Sequence, residues 1–258
     1  IARYATGATF KNINYVGCDI VGNCNLSTGG IVGVATNVTI ENCTIHGAIS
    51  SSITYCGGFV GNALVCTIKN CKLLEDSAVS TMTSSAAGIA AIINDGTVVE
   101  DCEVNGKISA KNSYAGGICA YMNDGVIRNC VVSSLSGVTA YKTASHSGGI
   151  VGAIESKKAG ASAIIDGCSV FCDVSCTDSG GGLVGYLNPA NANDEFTIIN
   201  CQFVGGEVVS KSQNSSAYAV LGGGFGWVGK NKVSLGTVNL VNIYVAPMSV
   251  YGGYTAID

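Results

Sequence analysis

The chain has 258 residues, of which only 12% are charged, and 13 basic against 17 acidic side chains give a formal net charge of −4. No basic stripe marks a nucleic-acid partner, and no apolar run approaches the ~18 residues of a membrane-spanning helix. Thirty-six glycines, two prolines and short runs rich in Val, Ile, Thr and Ser argue against helices and for an all-β chain punctuated by turns.

In chain order, residues 1–7 read as an N-terminal edge, 8–245 as repeat coils and 246–258 as a C-terminal edge or cap, all within a single domain of 1–258. The chain opens on Ile1 without an initiating Met, signal peptide or lipobox, which is expected of a mature form or of part of a longer protein. Pairs of small residues then recur, their second members at Gly30, Gly58, Gly88, Gly117, Gly149, Gly182 and Gly224. A large apolar residue follows each pair, first Ile31 and then Phe59, Ile89, Ile118, Ile150, Leu183 and Phe225. A block of the form apolar, x, Asn, Cys, x, apolar comes next. A period of about thirty residues over nearly the whole chain is the pattern of a stacked-repeat protein, whose units bury their apolar faces only against one another.

Within each repeat the Gly-pair block supplies a first strand. The second ends at a ladder site filled by Ile13, Cys43, Cys71, Cys102, Cys130, Cys168, Cys201 and Ile243. Apolar columns stand three residues before it (Phe10, Ile40, Ile68 and on to Leu240) and two after it (Tyr15, Ile45, Leu73 and on to Val245). Strict alternation cannot point all three columns inward, so a bend must precede the ladder site. Asn12, Asn42, Asn70, Asp101, Asn129, Gly167, Asn200 and Asn242 stand there, all of types that tolerate the left-handed region. A third strand carries Ile49, Val79, Ile108, Val138, Val174 and Val209, each followed by Ser or Thr. Stacked in register, these strands predict an all-β, right-handed parallel β-helix, a solenoid of about eight three-stranded coils, with the hand taken from the general rule for parallel connections.

Two further columns test that register. Lys11, Glu41, Lys69, Glu100, Arg128 and Asp166 alternate in sign on consecutive rungs, so stacking sets each charge beside its opposite. Ile199 and Val241 end the pattern, as though that surface were covered. Six of the thirteen cysteines occupy the ladder site, where free thiols act as small core hydrophobes. Cys18 with Cys24, or Cys172 with Cys176, are the pairs to expect if a disulfide forms.

The blocks Gly-Gly-Ile-Val-Gly-Val (29–34) and Asn-Val-Thr-Ile-Glu-Asn-Cys-Thr-Ile (37–45) resemble the GLUG-motif repeat. So do 57–61, 148–152 and 181–185. The resemblance runs over residues 8 to 245, with departures at Ala87-Gly88-Ile89-Ala90-Ala91 and Gly224-Phe225-Gly226-Trp227. It implies an exported, extracellular, surface-exposed stalk or binding region of a Bacteroidetes-type adhesin-like protein.

The residues carry no clear reaction. His46 and His146 lie far apart without a zincin Glu, and each is read as an exposed strand or loop residue. No phosphate loop, nucleophile elbow, cofactor motif or metal-ligand spacing is present. The best acidic patch is Glu100, Asp101 and Glu103, which Lys69, Lys72 and Arg128 should neutralise. Asp95 and Asp124, in successive Asn-Asp-Gly turns, are placed to share a cation. The reading is a non-catalytic structural or adhesive module, binding a glycan or a host or bacterial surface protein. The alternative is a carbohydrate-active β-helix enzyme, a polysaccharide lyase or glycoside hydrolase.

Two places suit a ligand. The last three repeats carry six extra residues on one edge, at 153–163, 186–196 and 228–237. These loops bring Lys157, Lys158, Tyr186, Asn188, Asn191, Asn193, Asp194, Glu195, Lys230 and Lys232 to one ridge, with Trp227 nearby. The second place is the corner before the glycine pairs, where Tyr55 and Tyr114 each stand three residues ahead of the second glycine.

Overall fold

The computed structural model describes residues 1–23, 25–141, 145–210, 220–222, 224–228, 236–246, 250–251 and 255–256, with backbone only at 210, 220–222, 227–228, 250–251 and 255–256. Among them every element is a β-strand and every strand pairing is parallel. The chain winds as a β-solenoid in which each strand lies on its counterpart one coil earlier. Ile68, for example, pairs with Ile40 before it and Val99 after it.

The coil is divided more finely than three strands. One turn reads Cys56–Gly57, Val60–Leu64, Thr67–Lys69, Lys72–Leu73 and Ala78–Thr81, and these segments belong to four stacked sheets. The additional corner comes from the glycine pair, which straddles a bend rather than opening a strand. A Cβ on Gly58 would lie 2.0 Å from the carbonyl oxygen of Gly88, and one on Gly117 would lie 2.1 Å from that of Gly149. Only glycine lets successive coils approach so closely there.

The second bend forms as the residue types require. Asn12, Asn42, Asn70, Asp101, Asn129, Asn200 and Asn242 all have φ between +49° and +57°, and Gly167 has +63°. The side chains add a ladder of their own, as Asn70 Nδ2 donates to Asn42 Oδ1 at 3.2 Å and Asn242 Nδ2 to Asn200 Oδ1 at 3.0 Å. With the chain turned at this point, the residues on both sides face inward. Ile40, Cys43 and Ile45 are fully buried, as are Ile68 and Leu73.

The twelve cysteines among the described residues are free and buried. Cys172 and Cys176 are separate thiols, and Cys24 lies outside the described residues. At the ladder site each sulfur donates to the carbonyl two residues earlier, from Cys43 to Glu41 at 3.2 Å through Cys201 to Ile199 at 3.2 Å. Burial drives the Cys56 and Cys172 thiols up to about 12, which keeps them protonated and inert.

The alternating charges pair as the register demands. Lys11 meets Glu41 at 2.7 Å, Lys69 meets Glu100 at 2.9 Å, and Arg128 Nε donates to Glu100 Oε2 at 2.6 Å. Two expectations fail. On the last rung Val208, not Val209, pairs with Val174 and is fully buried, because the chain turns through Gly206 at φ +99° and enters the strand one residue early. The place where the charges stop is not covered either, since Val241 is 43% exposed.

Two predictions follow from these bends and columns. Cys71 and Cys102 should resist alkylation in the native protein and react fully once it is denatured, and Cys102→Ala should cost about 1–2 kcal/mol through a small cavity. Rapid native labelling of both would refute the inward ladder. Val65 stands at a corner where the neighbouring coils place Asn37 and Asp95, and it shares their left-handed backbone at φ +54°. That conformation costs a β-branched residue roughly 1–2 kcal/mol, and Val65 is 54% exposed. Val65→Asn should therefore raise the melting temperature. An unchanged or lower value would show that the corner is not strained.

Candidate functional site

Two outward-facing columns border the glycine corner. One runs Tyr114, His146, Ser179 and the other Ile92, Tyr121, Ala153, Tyr186, each in parallel register. Where one column carries a large residue the other tends to carry a small one: His146 shares a coil with Ala153, and Tyr186 with Ser179. Rings from both columns therefore merge into one row. Tyr114 stacks on His146 with centroids 5.5 Å apart, and His146 on Tyr186 at 4.9 Å. Tyr121 stacks on Tyr114 across the glycine pair of its own coil at 5.2 Å. Tyr55, from two coils before Tyr114, packs against the same cluster, whose buried members are Ile92, Tyr121 and Ala153.

Polar groups finish the border. The Tyr121 hydroxyl donates to Glu155 Oε2 at 3.3 Å, and Asn188 Nδ2 donates to Glu155 Oε1 at 2.8 Å. Lys157 places its ammonium 4.8 Å above the Tyr121 ring. His146 Nδ1 is hydrogen-bonded to Ser179 Oγ, with Asp178 Oδ2 at 3.9 Å. Burial pushes the His146 imidazole down to about 4, so it is neutral near pH 7. Burial likewise raises Asp178 and lifts the Tyr114 and Tyr186 hydroxyls to about 12.

The ridge loops 156–161 and 189–194 are bound together beside this row. Asp194 is their strut. It accepts from Ser156 Oγ, from the backbone N–H of Asn191 at 2.7 Å and from that of Ala161 at 3.1 Å. Burial opposes its charge, but these donors outweigh it and hold the carboxyl below its ordinary value. Lys158 reaches back along the rod to Asp95 at 2.5 Å and Asp124 at 3.2 Å. The two Asn-Asp-Gly turns do share a cation, and it is this ammonium.

The structure thus sorts the expected residues. Tyr55, Tyr114 and Tyr186 come together, so the corner and the ridge are one surface, with Lys157 at its edge. Asn188 and Asp194 leave the candidate set, being 0% and 1% exposed, because they hold the loops from within. Asn191 is half-buried and tied to Asp194, Lys158 is paired, and Asn193 is exposed. The Trp227 backbone stands in register with Tyr186, while its side chain, Lys230 and Lys232 lie outside the described residues. His146 is not the exposed residue expected but the middle of the ring row. Sequence reasoning missed Tyr121, His146 and Glu155. The available signal was the seven-residue spacing across each glycine pair, Tyr114 to Tyr121 and Ser179 to Tyr186.

The acidic patch is otherwise engaged. Glu103 is bound by Lys72 at 3.0 Å and by Asn105 Nδ2 at 2.9 Å, and Glu100 is held below the usual carboxylate range by hydrogen bonds from Lys69 and Arg128.

No family model matches the chain, and no curated protein matches it. A solved structure described as a "putative immunoglobulin A1 protease from Bacteroides ovatus" is similar over 86% of this chain and 66% of that chain, at 21% identity and a TM-score of 0.47. This chain therefore spans just under two thirds of that chain's length, and nothing about activity follows from a likeness at this level.

The buried histidine sets a pH dependence. An unfolded histidine titrates near 6.5 and His146 near 4, so the unfolded state gains protons first as pH falls. The contribution of neutral His146 to stability is complete above pH 6.5 and is lost as pH falls to about 4, by up to about 3 kcal/mol. His146→Phe should flatten the stability profile across this window. An unchanged acid limb in that variant would place the titrating group elsewhere.

Proposed function

We propose that the chain is a non-catalytic binding rod of an exported bacterial surface protein, and that it contacts a glycan through the aromatic row at its glycine corner. The row itself carries this reading. Half-buried Tyr55, Tyr114, His146 and Tyr186 gather from several coils onto one face around buried Tyr121, bordered by Glu155 and Lys157. The half-buried rings leave part of their surface to solvent, whereas the buried Tyr121 hydroxyl is engaged by Glu155. Such a surface offers apolar area to sugar C–H groups beside donors and acceptors for sugar hydroxyls. The GLUG-like repeat supports an extracellular setting. The pairing of Glu100 and Glu103 with cations favours a structural role for the acidic patch over catalysis.

A panel of glycans titrated by calorimetry tests the reading. Tyr114→Ala combined with Tyr186→Ala should weaken the best binder at least about tenfold, or ~1.4 kcal/mol, with the circular dichroism spectrum unchanged. Full affinity in that variant, or no glycan bound by the parent, would sink the assignment. Release of reducing ends or unsaturated products that Glu100→Gln or Glu103→Gln abolishes would replace it with the carbohydrate-active enzyme.

A further inference from the structure

The turn that follows the ladder site alternates in length from coil to coil. Six residues separate Cys43 from Ile49, Cys102 from Ile108 and Cys168 from Val174, whereas eight separate Cys71 from Val79 and Cys130 from Val138. Loops 74–77 and 133–136 therefore stand on either side of the short turn Asn105-Gly106. Each long loop is tied back to the coil before it, with Ser77 Oγ donating to the Ile45 carbonyl at 3.5 Å and Ser136 Oγ to that of Val104 at 2.7 Å. A Cβ on Gly106 would lie 2.8 Å from the Ser77 carbonyl oxygen, so the short turn is pressed against its neighbour. Between the loops is a cleft lined by Leu74, Glu75 and Leu135, with Lys72, Glu103 and Asn105 on its inner side.

Those last three side chains are joined. Lys72 and Glu103 are partners in register on adjacent coils, and Asn105 follows two residues after Glu103, its backbone N–H fixed by the Leu73 carbonyl at 2.9 Å. Lys72 Nζ lies 3.0 Å from Glu103 Oε2, and Asn105 Nδ2 donates to Glu103 Oε1 at 2.9 Å. One carboxylate therefore touches an amine with one oxygen and a carboxamide with the other. The carboxamide is the sheltered member, since Asn105 is only 7% exposed. Asp101 also stands between a lysine and an amide, but Lys69 and Asn129 approach it from opposite coils, and Asn129 is exposed.

We propose that Lys72 and Asn105 react to form an intramolecular isopeptide bond, with Glu103 as the proton carrier. Glu103 Oε2 takes a proton from the Lys72 ammonium, and the freed lone pair of Nζ attacks Asn105 Cγ. Glu103 Oε1 then gives that proton to Nδ2 of the tetrahedral centre. The Cγ–Nδ2 bond breaks, and the surplus proton on Nζ leaves with the departing ammonia as ammonium. An ammonium and a carboxamide become a secondary amide and free ammonium, the carboxylate is regenerated, and no other reactant is consumed. Neighbouring coils hold the amine and the carboxamide against one carboxylate, which supplies the proximity. Burial of Asn105 keeps water from competing for its carbonyl carbon. The new bond staples two coils together outside the hydrogen-bond ladder, and it is independent of any glycan bound at the aromatic row.

Intact-mass spectrometry of the folded and then denatured chain tests this. The parent should be lighter than its sequence by one ammonia, and fragmentation of a digest should show the peptide holding Lys72 joined to the peptide holding Asn105. Lys72→Arg and Glu103→Gln should each keep the mass of their sequence. The joined peptide is read in the parent alone, so a variant that misfolds does not weaken the result. A parent at its sequence mass overturns the proposal. So does conversion of Asn105 to Asp, which would show water reacting in place of the amine. An ammonia loss that survives Lys72→Arg also overturns it, because it marks a succinimide closed on the Gly106 nitrogen. A joined peptide that persists in Glu103→Gln overturns the role given to Glu103.

Discussion

The structure depends on how closely one coil can lie on the next. At the glycine corner the carbonyl of one coil occupies the place that a side chain of its neighbour would need, with 2.0–2.4 Å left for a Cβ on Gly30, Gly58, Gly88, Gly117 or Gly149. This approach keeps the strands at ladder spacing around a sharp corner. On the outside of the same corner the rings of Tyr114 and Tyr121 stack across the buried glycine pair.

Stacking at a fixed spacing makes every position a column, so each column must suit its own copies. Thiols do this well, being small, apolar and able to donate to a nearby carbonyl without needing a charge. Charges succeed only by alternating, and Glu100 shows the result, with Lys69 on one side and Arg128 on the other. Asn succeeds because its amide both donates and accepts, so the bend row can link one coil to the next.

The long-loop edge differs from the rest of the rod because it is held by contacts between coils. Asp194 gathers donors from the loop of the preceding coil, and Lys158 in that loop reaches one turn further back to Asp124 and two to Asp95. These contacts brace the side of the rod next to His146 and Tyr186. They also explain why polar residues in a long loop were poor guides to a ligand surface: Asn188 and Asp194 are internal fasteners.

The repeat, the inward columns, the left-handed bend and the charge register were legible in the residues, because each depends on local backbone preference and on a spacing that repeats. Asn70 and Gly167 show this well, since residue type alone announced their conformation. Other features required the fold. The extra corner depends on a clash with the next coil, and the one-residue shift to Val208 depends on the path through Gly206. The ring row needed it most. Tyr114 and Tyr121 are seven residues apart, but His146 and Tyr186 are forty apart, and their rings meet because adjacent columns exchange large and small side chains. The sequence determined which residues share a coil position; only the stacked structure decided which side chains from different positions touch, because that depends on the angle at which each coil turns its corner.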